Sequence, residues 1–168
     1  MIYSIRTLVF IDQAVKLLSI TMLQKPISIL TGFLALELQQ NPGISFGILS
    51  NLDKSYKAYI TLAMFGIVAM IGIYYFIRKN QLSRLQKVGM ELILAGGIGN
   101  LIDRLMYGSI IDMIEIYFFG IHIFTCNIAD VYLSLGAMIY ALYSNRKIQN
   151  AEADKYATKY KLFKEDGL

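Results

Sequence analysis

Residues 58 to 77, AYITLAMFGIVAMIGIYYFI, carry no charged side chain, and this segment constrains the fold more than any other. A helix rises ~1.5 Å per residue, so about 20 apolar residues cross a hydrocarbon layer of about 30 Å. The chain of 168 residues is 56% hydrophobic, which is more apolar surface than one soluble domain of this length buries. The sequence therefore predicts an integral membrane protein.

Three further apolar stretches flank this segment, and each is interrupted by a few polar or charged residues. Asp12 and Lys16 interrupt the first stretch and no A-x-A cleavage site follows it, so we expect a retained helix and not a removable secretory signal. The sequence predicts a single integral domain over residues 1–168 that is mainly α-helical. Its four transmembrane helices are expected at about 4–24, 58–77, 88–107 and 127–144.

Lysine and arginine are distributed unevenly among the connecting segments. Four lie in residues 78–87, six follow Ser144 and one lies at the N-terminus, whereas segment 25–57 has three and segment 108–126 has none. Basic residues concentrate on the cytoplasmic side of membrane proteins. We therefore expect both termini, with the tail 145–168, in the cytoplasm, and segments 25–57 and 108–126 on the outer side.

Charge and composition also exclude several function classes. The formal net charge of +4 follows the cytoplasmic edge, and no aromatic-basic RNA motif accompanies it, so a nucleic-acid partner is not expected. The chain has one His and one Cys and contains neither a Walker loop nor a strand-anchored GxGxxG. No internal disulfide, metal site or cofactor is implied.

The outward segment 25–57 contains a candidate β element. Apolar residues alternate at positions 36 and 38 and again at 44, 46 and 48, and the turn residues Asn41-Pro42-Gly43 lie between the two sets. Alternation of this kind is typical of strands, and proline followed by glycine favours a turn. We expect a small extracytoplasmic β element on the membrane surface.

Polar residues cluster near the outer end of the third and fourth predicted helices. Asn100, Asp103 and Arg104 are spaced to share one side of a helix, and nearby small residues at 95 and 99 let a neighbouring helix approach closely. Asn127 and Asp130 share a face at the start of the fourth helix, and the loop joining the two helices carries Asp112, so three aspartates converge at one level. Ionisable groups at membrane depth indicate a functional site.

Each of these residues also has a purely structural interpretation. Asp103 is adjacent to Arg104 and could form a buried ion pair that holds helices together, and Asn100 and Asn127 suit interhelical hydrogen bonds. Asp130 has no basic residue within a helical turn, so its carboxylate needs a partner from elsewhere.

If that partner is Asp112, the two carboxylates share one proton and serve as base and acid in peptide hydrolysis. Glu115 is a rival for the second carboxylate. His122 and Cys126, four apart, would form a thiol and base pair if their segment were helical, although FGIHIFTC is equally strand-like. Ion or proton transport by the acidic cluster, and a catalytically silent scaffold, remain alternatives.

Five sequence blocks, IDQAVK, NPGISFGIL, GGIGNLIDRL, GSIIDMI and CNIADVYLSLG, occur in an order and at intervals that resemble the bacterial lipoprotein signal peptidase family, signal peptidase II. The resemblance spans nearly the whole chain. It implies a four-helix aspartyl protease of the bacterial inner membrane with its active site near the outer face. Such an enzyme removes the signal peptide from a prolipoprotein by cutting before a lipobox cysteine that carries diacylglycerol.

The resemblance also implies roles for particular residues. It makes Asp112 and Asp130 the catalytic dyad. Supporting or substrate-binding roles fall to residues in four of the blocks: Asp12, Lys16, Asn41, Gly43, Asn100, Asp103, Arg104 and Asn127. The expected partners are the diacylglyceryl-modified prolipoprotein, membrane lipid and cyclic peptide inhibitors of the globomycin type. Met113 and Cys126 stand where the family usually has Phe, which affects the shape of the pocket and not its acids.

Overall fold

The computed structural model describes residues 4–43 and 54–144, with side chains of the second range described from residue 57. These ranges contain four helices, α1 (Ile5–Met22), α2 (Lys54–Arg78), α3 (Arg84–Tyr107) and α4 (Ile128–Ser144). They also contain four strands, β1 (Ile27–Leu30), β2 (Leu34–Asn41), β3 (Ile110–Phe118) and β4 (Ile121–Cys126). The alternating residues 44 to 48 and the tail 145–168 lie outside the described residues.

Short polar residues and a glycine set the helix ends. Ser83 and Gln86 form a reciprocal capping box at the start of α3: the Gln86 amide donates to Ser83 Oγ, and the Ser83 amide donates to Gln86 Oε1. At the other end of α3, Gly108 adopts φ 70° and its N–H donates to the Arg104 carbonyl. A left-handed backbone at this position favours glycine. It directs the chain out of α3 and into β3.

Helix α3 lies at the centre of the bundle and contacts α1 and α2. Its glycines let α4 approach closely as well. A Cβ added at Gly96 would lie 2.4 Å from the Ala129 carbonyl oxygen, and one at Gly89 would lie 2.8 Å from the Gly136 carbonyl oxygen. Close backbone approach through small residues is the usual way in which membrane helices pack.

The two ends of the bundle differ in what they contain. At one end Tyr75, Met90 and Leu94 form an apolar cluster, against which Ile5 and Tyr140 pack. Ile5 begins α1 and Tyr140 lies near the end of α4, so these two helix ends meet there. We call it the far end, and the opposite end, which carries the β-sheet, the sheet end.

The strands form one antiparallel sheet in the order β1-β2-β3-β4. The prediction that Asp112 lies in a loop was wrong, since Asp112 is in β3 and pairs with Gln39 of β2. Strands β3 and β4 are rich in isoleucine and aromatic residues, which pack well on a pleated surface. The tight turn between them uses Phe119 and Gly120 at φ 50° and 81°. The sheet is therefore larger than the predicted β element.

Within the described residues one helical segment, Lys57–Arg78, is long and apolar enough to cross a membrane, and Ile128–Ser144 is apolar but shorter. Almost none of the first segment is fully buried within the protein, as expected for a helix that faces lipid. The mainly helical class with a small antiparallel sheet is confirmed. That all four helices cross a membrane stays a prediction.

Candidate active site

The candidate site lies at the sheet end of the bundle, where β3, α3 and the start of α4 meet. Asp112 is the third residue of β3 and Asp130 lies in the first turn of α4. Each side chain is only 1% exposed. A buried carboxylate requires partners that satisfy its oxygen atoms, because its charge is otherwise costly away from water.

Two asparagine side chains donate to the carboxylate of Asp112. Asn41 Nδ2 lies 3.0 Å from Asp112 Oδ2, and Asn127 Nδ2 lies 2.7 Å from Asp112 Oδ1. Burial raises the pKa of Asp112 to about 6, the hydrogen bond from Asn41 opposes that rise, and the negative charge of Asp130 adds to it. Asp112 is therefore suited to hold a proton that an exposed aspartate would lose.

Asp130 has one satisfied oxygen and one without a partner. Asn100 Nδ2 donates to Asp130 Oδ1 over 2.9 Å. Asp130 Oδ2 is buried and has no hydrogen-bond partner among the described residues. The backbone N–H of Asp130 donates to Asn127 Oδ1 over 3.0 Å, which makes Asn127 the N-cap of α4. The cap therefore fixes the backbone that carries Asp130.

The same two amides connect the carboxylates to each other. Asn127 Nδ2 donates to Asn100 Oδ1 over 3.1 Å in addition to its bond with Asp112. A continuous chain of hydrogen bonds therefore runs from Asp112 through Asn127 and Asn100 to Asp130. The structure brings together the four residues that the sequence placed in the loop and in the two helix ends.

Lys16 forms a second buried cluster beside this chain. Its Nζ lies 2.9 Å from Asp12 Oδ2 and 2.7 Å from Asp103 Oδ2. Asp103 therefore forms a buried ion pair that joins two helices, as expected, but its partner is Lys16 on α1 and the proposed pairing with Arg104 was wrong. Consecutive helix residues point in directions about 100° apart, so neighbours in sequence do not face each other.

Arg104 instead connects α3 to α2 and to the turn after β2. Its Nε lies 3.0 Å from Met64 Sδ, and its Nη1 donates to the Pro42 carbonyl over 3.3 Å. Next to that carbonyl, the Gly43 amide donates to Asn41 Oδ1 over 2.9 Å. The turn that holds Asn41 against Asp112 is thus fixed from both sides.

Sequence reasoning missed Gln13. Its Nε2 lies 3.1 Å from Asp12 Oδ2, 3.1 Å from the Gly99 carbonyl oxygen and 3.0 Å from Asp103 Oδ1. The available signal was its position beside Asp12 in the IDQAVK block. A neutral side chain in a helix with few charges gave no other indication.

The rival chemistries do not assemble at this site. Glu115 lies three residues from Asp112 on β3 and so points to the opposite face of the sheet, where Gln39 Nε2 donates to it over 3.3 Å. His122 and Cys126 both lie on β4, not on a helix, and four strand residues span about 13 Å. The strand alternative for this segment is therefore confirmed, and His122 and Cys126 do not form a thiol and base pair. Within residues 4–43 and 54–144 no cluster of metal-ligating side chains is present.

Comparison with solved structures identifies the class of protein. A structure described as "Bacterial membrane enzyme structure by the in meso method at 2.3 A resolution" is similar, with a TM-score of 0.70 and 27% sequence identity over 87% of each chain. A second, described in the same words at 1.9 A resolution, has a TM-score of 0.65 and 28% identity over 83% of this chain and 88% of its own. The fold is that of a bacterial membrane enzyme.

Sequence comparison identifies the family. The sequence model of the family described as Signal peptidase (SPase) II matches residues 4–146. A "Lipoprotein signal peptidase" of Geobacter metallireducens is 33% identical over 84% of this chain and 88% of its own. Another of that name, from Desulforapulum autotrophicum, is 30% identical over 79% and 83%. The chain belongs to the signal peptidase II family, which confirms the resemblance noted in the sequence.

Proposed function

We propose that this protein is an aspartyl endopeptidase that removes the signal peptide from diacylglyceryl-modified prolipoproteins, cutting before the lipid-bearing cysteine. The names of its relatives support a prolipoprotein as the substrate. The observation that carries the proposal is the buried pair Asp112 and Asp130, connected through the side-chain amides of Asn100 and Asn127. In the orientation proposed below, an exported signal peptide would meet this pair at the sheet end of the bundle.

The pair divides the acid and base roles between two carboxyl groups. Two carboxylates close together do not both ionise, so the pair holds a single proton. Asp112 is the proposed holder of that proton, because burial raises its pKa to about 6. Asp130 is the proposed base, and its Oδ2, which has no partner among the described residues, is the oxygen that would accept a proton from water.

Hydrolysis then needs neither a metal nor a covalent intermediate. Asp130 removes a proton from water while the water oxygen bonds to the carbonyl carbon of the residue before the cysteine. Asp112 gives its proton to the carbonyl oxygen, which yields a neutral tetrahedral diol. As the C–N bond breaks, the nitrogen takes a proton from Asp130, and Asp112 regains its own from the diol. The single shared proton is restored after each cycle.

We place all four helices across the bacterial inner membrane, with both termini in the cytoplasm and the site near the outer face. Besides α2, the other helices also carry large apolar side chains that are exposed on the protein, as lipid-facing positions are. Examples are Phe10, Leu17 and Met22 of α1, Leu105 of α3, and Leu135, Met138 and Leu142 of α4. The sheet end is then the outer end, which agrees with the distribution of basic residues in the sequence.

A groove between α2 and α3 is the proposed place for the acyl chains of the substrate. It has a volume of about 460 Å³ and is lined by Leu62, Phe65, Leu101 and Leu105, with Arg104 also part of its wall. Because Arg104 also binds the turn next to Asn41, the groove adjoins the catalytic pair. Acyl chains entering laterally from the membrane would bring the scissile bond to Asp112. Cyclic peptides of the globomycin type are expected to compete there.

Incubation with a synthetic precursor peptide tests the function. The peptide carries diacylglycerol on its cysteine, and a matched peptide carries an unmodified cysteine. The proposal predicts a product that begins at the lipidated cysteine, identified by mass, and little cleavage of the unmodified peptide. If the folded wild-type protein cleaved neither peptide, the proposed function would be overturned.

Two carboxylate variants test the residues. Asp130→Asn keeps the shape of the side chain and removes the base, so cleavage is expected to fall by about 10³-fold or more while membrane insertion persists. Glu115→Gln is the matched control, because Glu115 lies on the opposite face of the sheet, and its activity is expected to remain. Retained cleavage in the Asp130 variant would exclude Asp130 as the base, and loss of cleavage in the Glu115 variant would favour Glu115 over Asp112 as the second carboxylate. The same Asp130 variant separates the peptidase from a transporter or silent scaffold, neither of which cleaves the peptide.

A further inference from the structure

We propose that Lys16 is a positioning residue that holds in place the backbone before each proposed catalytic aspartate and orients the amide that contacts Asp130. This inference rests on the proposed function and assigns to α1 a part in it. Lys16 is 2% exposed, and its contacts are with Asp12, Asp103 and Asn100, which are themselves fully buried.

An ammonium group has three N–H donors and no acceptor. Lys16 Nζ has three oxygen partners: Asp12 Oδ2 at 2.9 Å, Asp103 Oδ2 at 2.7 Å and Asn100 Oδ1 at 3.1 Å. One donor is therefore available for each acceptor. Two of the acceptors are on α3 and one is on α1, so the ammonium group fixes these two helices relative to each other at the level of the site.

Both carboxylates also accept a backbone N–H next to a proposed catalytic residue. Asp103 Oδ2 accepts from the amide of Ile111 over 3.1 Å. Asp12 Oδ1 accepts from the amide of Ala129 over 3.0 Å. Ile111 immediately precedes Asp112, and Ala129 immediately precedes Asp130. One buried cation thus holds two carboxylates, and each carboxylate holds one of the two segments that must meet.

The third contact determines which way the Asn100 amide faces. Since Lys16 can only donate, the atom of Asn100 that faces it must be the carbonyl oxygen, and the NH₂ group is then presented to Asp130 Oδ1. An amide turned the other way would place a donor against the ammonium group and an acceptor against a carboxylate. Lys16 therefore acts on Asp130 through both Asn100 and Asp12.

The packing around Asp12 gives independent support. A Cβ added at Gly99 would lie 2.4 Å from Asp12 Oδ2 and 3.1 Å from its Cγ. The absence of a side chain at position 99 is what lets the Asp12 carboxylate reach its place between α1, α3 and α4. The fold makes room for this carboxylate at a cost in stability, because glycine inside a helix is less favourable than alanine.

Stability alone is a weak explanation for such a cluster. Burying an ammonium group with two carboxylates costs desolvation energy that the attraction often only offsets, whereas fixing one arrangement among alternatives is the better-attested use of buried ion pairs. Here the arrangement fixed is the meeting of β3 with the start of α4. Loss of Lys16 should therefore lower kcat by more than any loss of folded protein explains.

The first test compares Lys16→Met with Lys25→Met, an exposed lysine beyond the end of α1. Cleavage of the lipidated precursor peptide is measured over a range of concentrations, and folding is checked by circular dichroism and thermal unfolding. For folded Lys16→Met we expect kcat to fall about 100-fold, as a displacement of about 1 Å does, with KM within threefold. Lys25→Met is expected to match the wild type. A folded Lys16→Met protein with wild-type kcat would overturn the inference and leave the proposed function intact.

The pH optimum of cleavage separates positioning from a purely structural role, because a purely structural role of Lys16 would leave that optimum unchanged. The charges of Asp130, Lys16 and Arg104 act on the carboxyl group of Asp112. The positive charge of Lys16 favours the ionised form of Asp112. Removing that charge is expected to move the activity optimum of Lys16→Met to higher pH. An unchanged optimum, with a loss of activity that follows the loss of folded protein, would contradict the positioning role.

The second test moves Asp12 without removing any polar group. Gly99→Ala displaces the Asp12 carboxylate, and Gly66→Ala is the matched control, since a Cβ at Gly66 meets no atom within 4 Å. We expect a tenfold or larger loss of kcat in the first variant and none in the second.

Hydrogen exchange in the wild-type protein tests the positioning role of Lys16 even if Lys16→Met and Gly99→Ala both fail to fold. The amide protons of Ile111 and Ala129 should resonate downfield and exchange slowly with solvent, because each donates to a buried carboxylate. Rapid exchange at both amides would overturn the inference. Failure of the wild type to cleave the peptide would instead count against the proposed function.

Discussion

The two halves of α3 are built on different principles. Toward the sheet end, Asn100, Asp103 and Arg104 are buried polar side chains, and the first two are satisfied by named partners on α1 and α4. Toward the far end, Met90 and Leu94 pack in an apolar cluster, and glycines provide close approach to α4. One half depends on matched donors and acceptors, and the other depends on shape.

This difference separates function from stability along a single helix. A hydrogen-bond network specifies where each atom lies, which a catalytic pair requires, whereas an apolar cluster holds helices together with less constraint on orientation. Changes at the sheet end should therefore alter catalysis in protein that remains folded. Changes at the far end should alter stability and leave catalysis unchanged in the folded fraction.

The largest expected effect is on folding, from Gly96→Val. A Cβ at this position would lie 2.4 Å from a backbone oxygen of α4 and 2.8 Å from Leu133 Cγ, so α3 and α4 must separate. Overpacking of this kind typically costs about 1–3 kcal/mol and occasionally more. Thermal unfolding in detergent should show a large loss of stability, while Gly66→Val, at an open position, stays within about 0.5 kcal/mol of the wild type. Equal stability of the two variants would contradict the close packing.

An intermediate effect, on catalysis, is expected from Asn41→Leu. The variant removes the hydrogen bond to Asp112 Oδ2, which favours the ionised carboxylate and is worth about 1.5–3 kcal/mol, so kcat should fall about tenfold. The pKa of Asp112 then rises further, because the bond that opposed the effect of burial is gone. Asp112 keeps its proton to higher pH, and the alkaline limb of the activity profile moves upward.

The neighbouring exposed residue gives the control for that change. Gln40→Leu introduces the same side chain one position away on β2, where it should leave both kcat and the pH profile unchanged. A downward movement of the alkaline limb in Asn41→Leu, or an equal movement in both variants, would break the assignment of the proton to Asp112.

The smallest effect is expected at the far end, from Tyr75→Phe. The variant removes the hydrogen bond from Tyr75 Oη to Glu91 Oε1, which is 2.7 Å long, and keeps the ring in the apolar cluster. Stability should fall by about 1 kcal/mol, and kcat of the folded protein should not change. A tenfold loss of kcat without a loss of stability would show that the two halves of α3 are not separable in this way.

The sequence predicted the local features of this molecule better than its long-range contacts. Helical spacing placed Asn100 and Asp103 on one side of α3, and unmatched charge at membrane depth singled out Asp130. Adjacency to Arg104 suggested the wrong partner for Asp103, because Lys16 lies on another helix and nothing local connects the two. Gln13 was missed for the same reason.

The sheet illustrates a different limit. The isoleucines of β3 are a strand signal that was present in the sequence, yet the same segment also carries Asp112 and Glu115, and its strand partners are set by chain topology. The register of β3 against β2, a strand far away in sequence, determines which face of the sheet each β3 side chain occupies. Register of this kind depends on tertiary contacts that a single sequence does not contain.

The most direct test of the shared-proton pair is a double-mutant cycle on cleavage of the lipidated precursor peptide, using Asp112→Asn, Asp130→Asn and the variant with both changes. Residues that act as one unit are strongly non-additive. Each single change should lower kcat by about 10³-fold or more, and the double change should lower it no further. Independent losses that multiply in the double variant, or a single variant that retains wild-type kcat, would contradict the account.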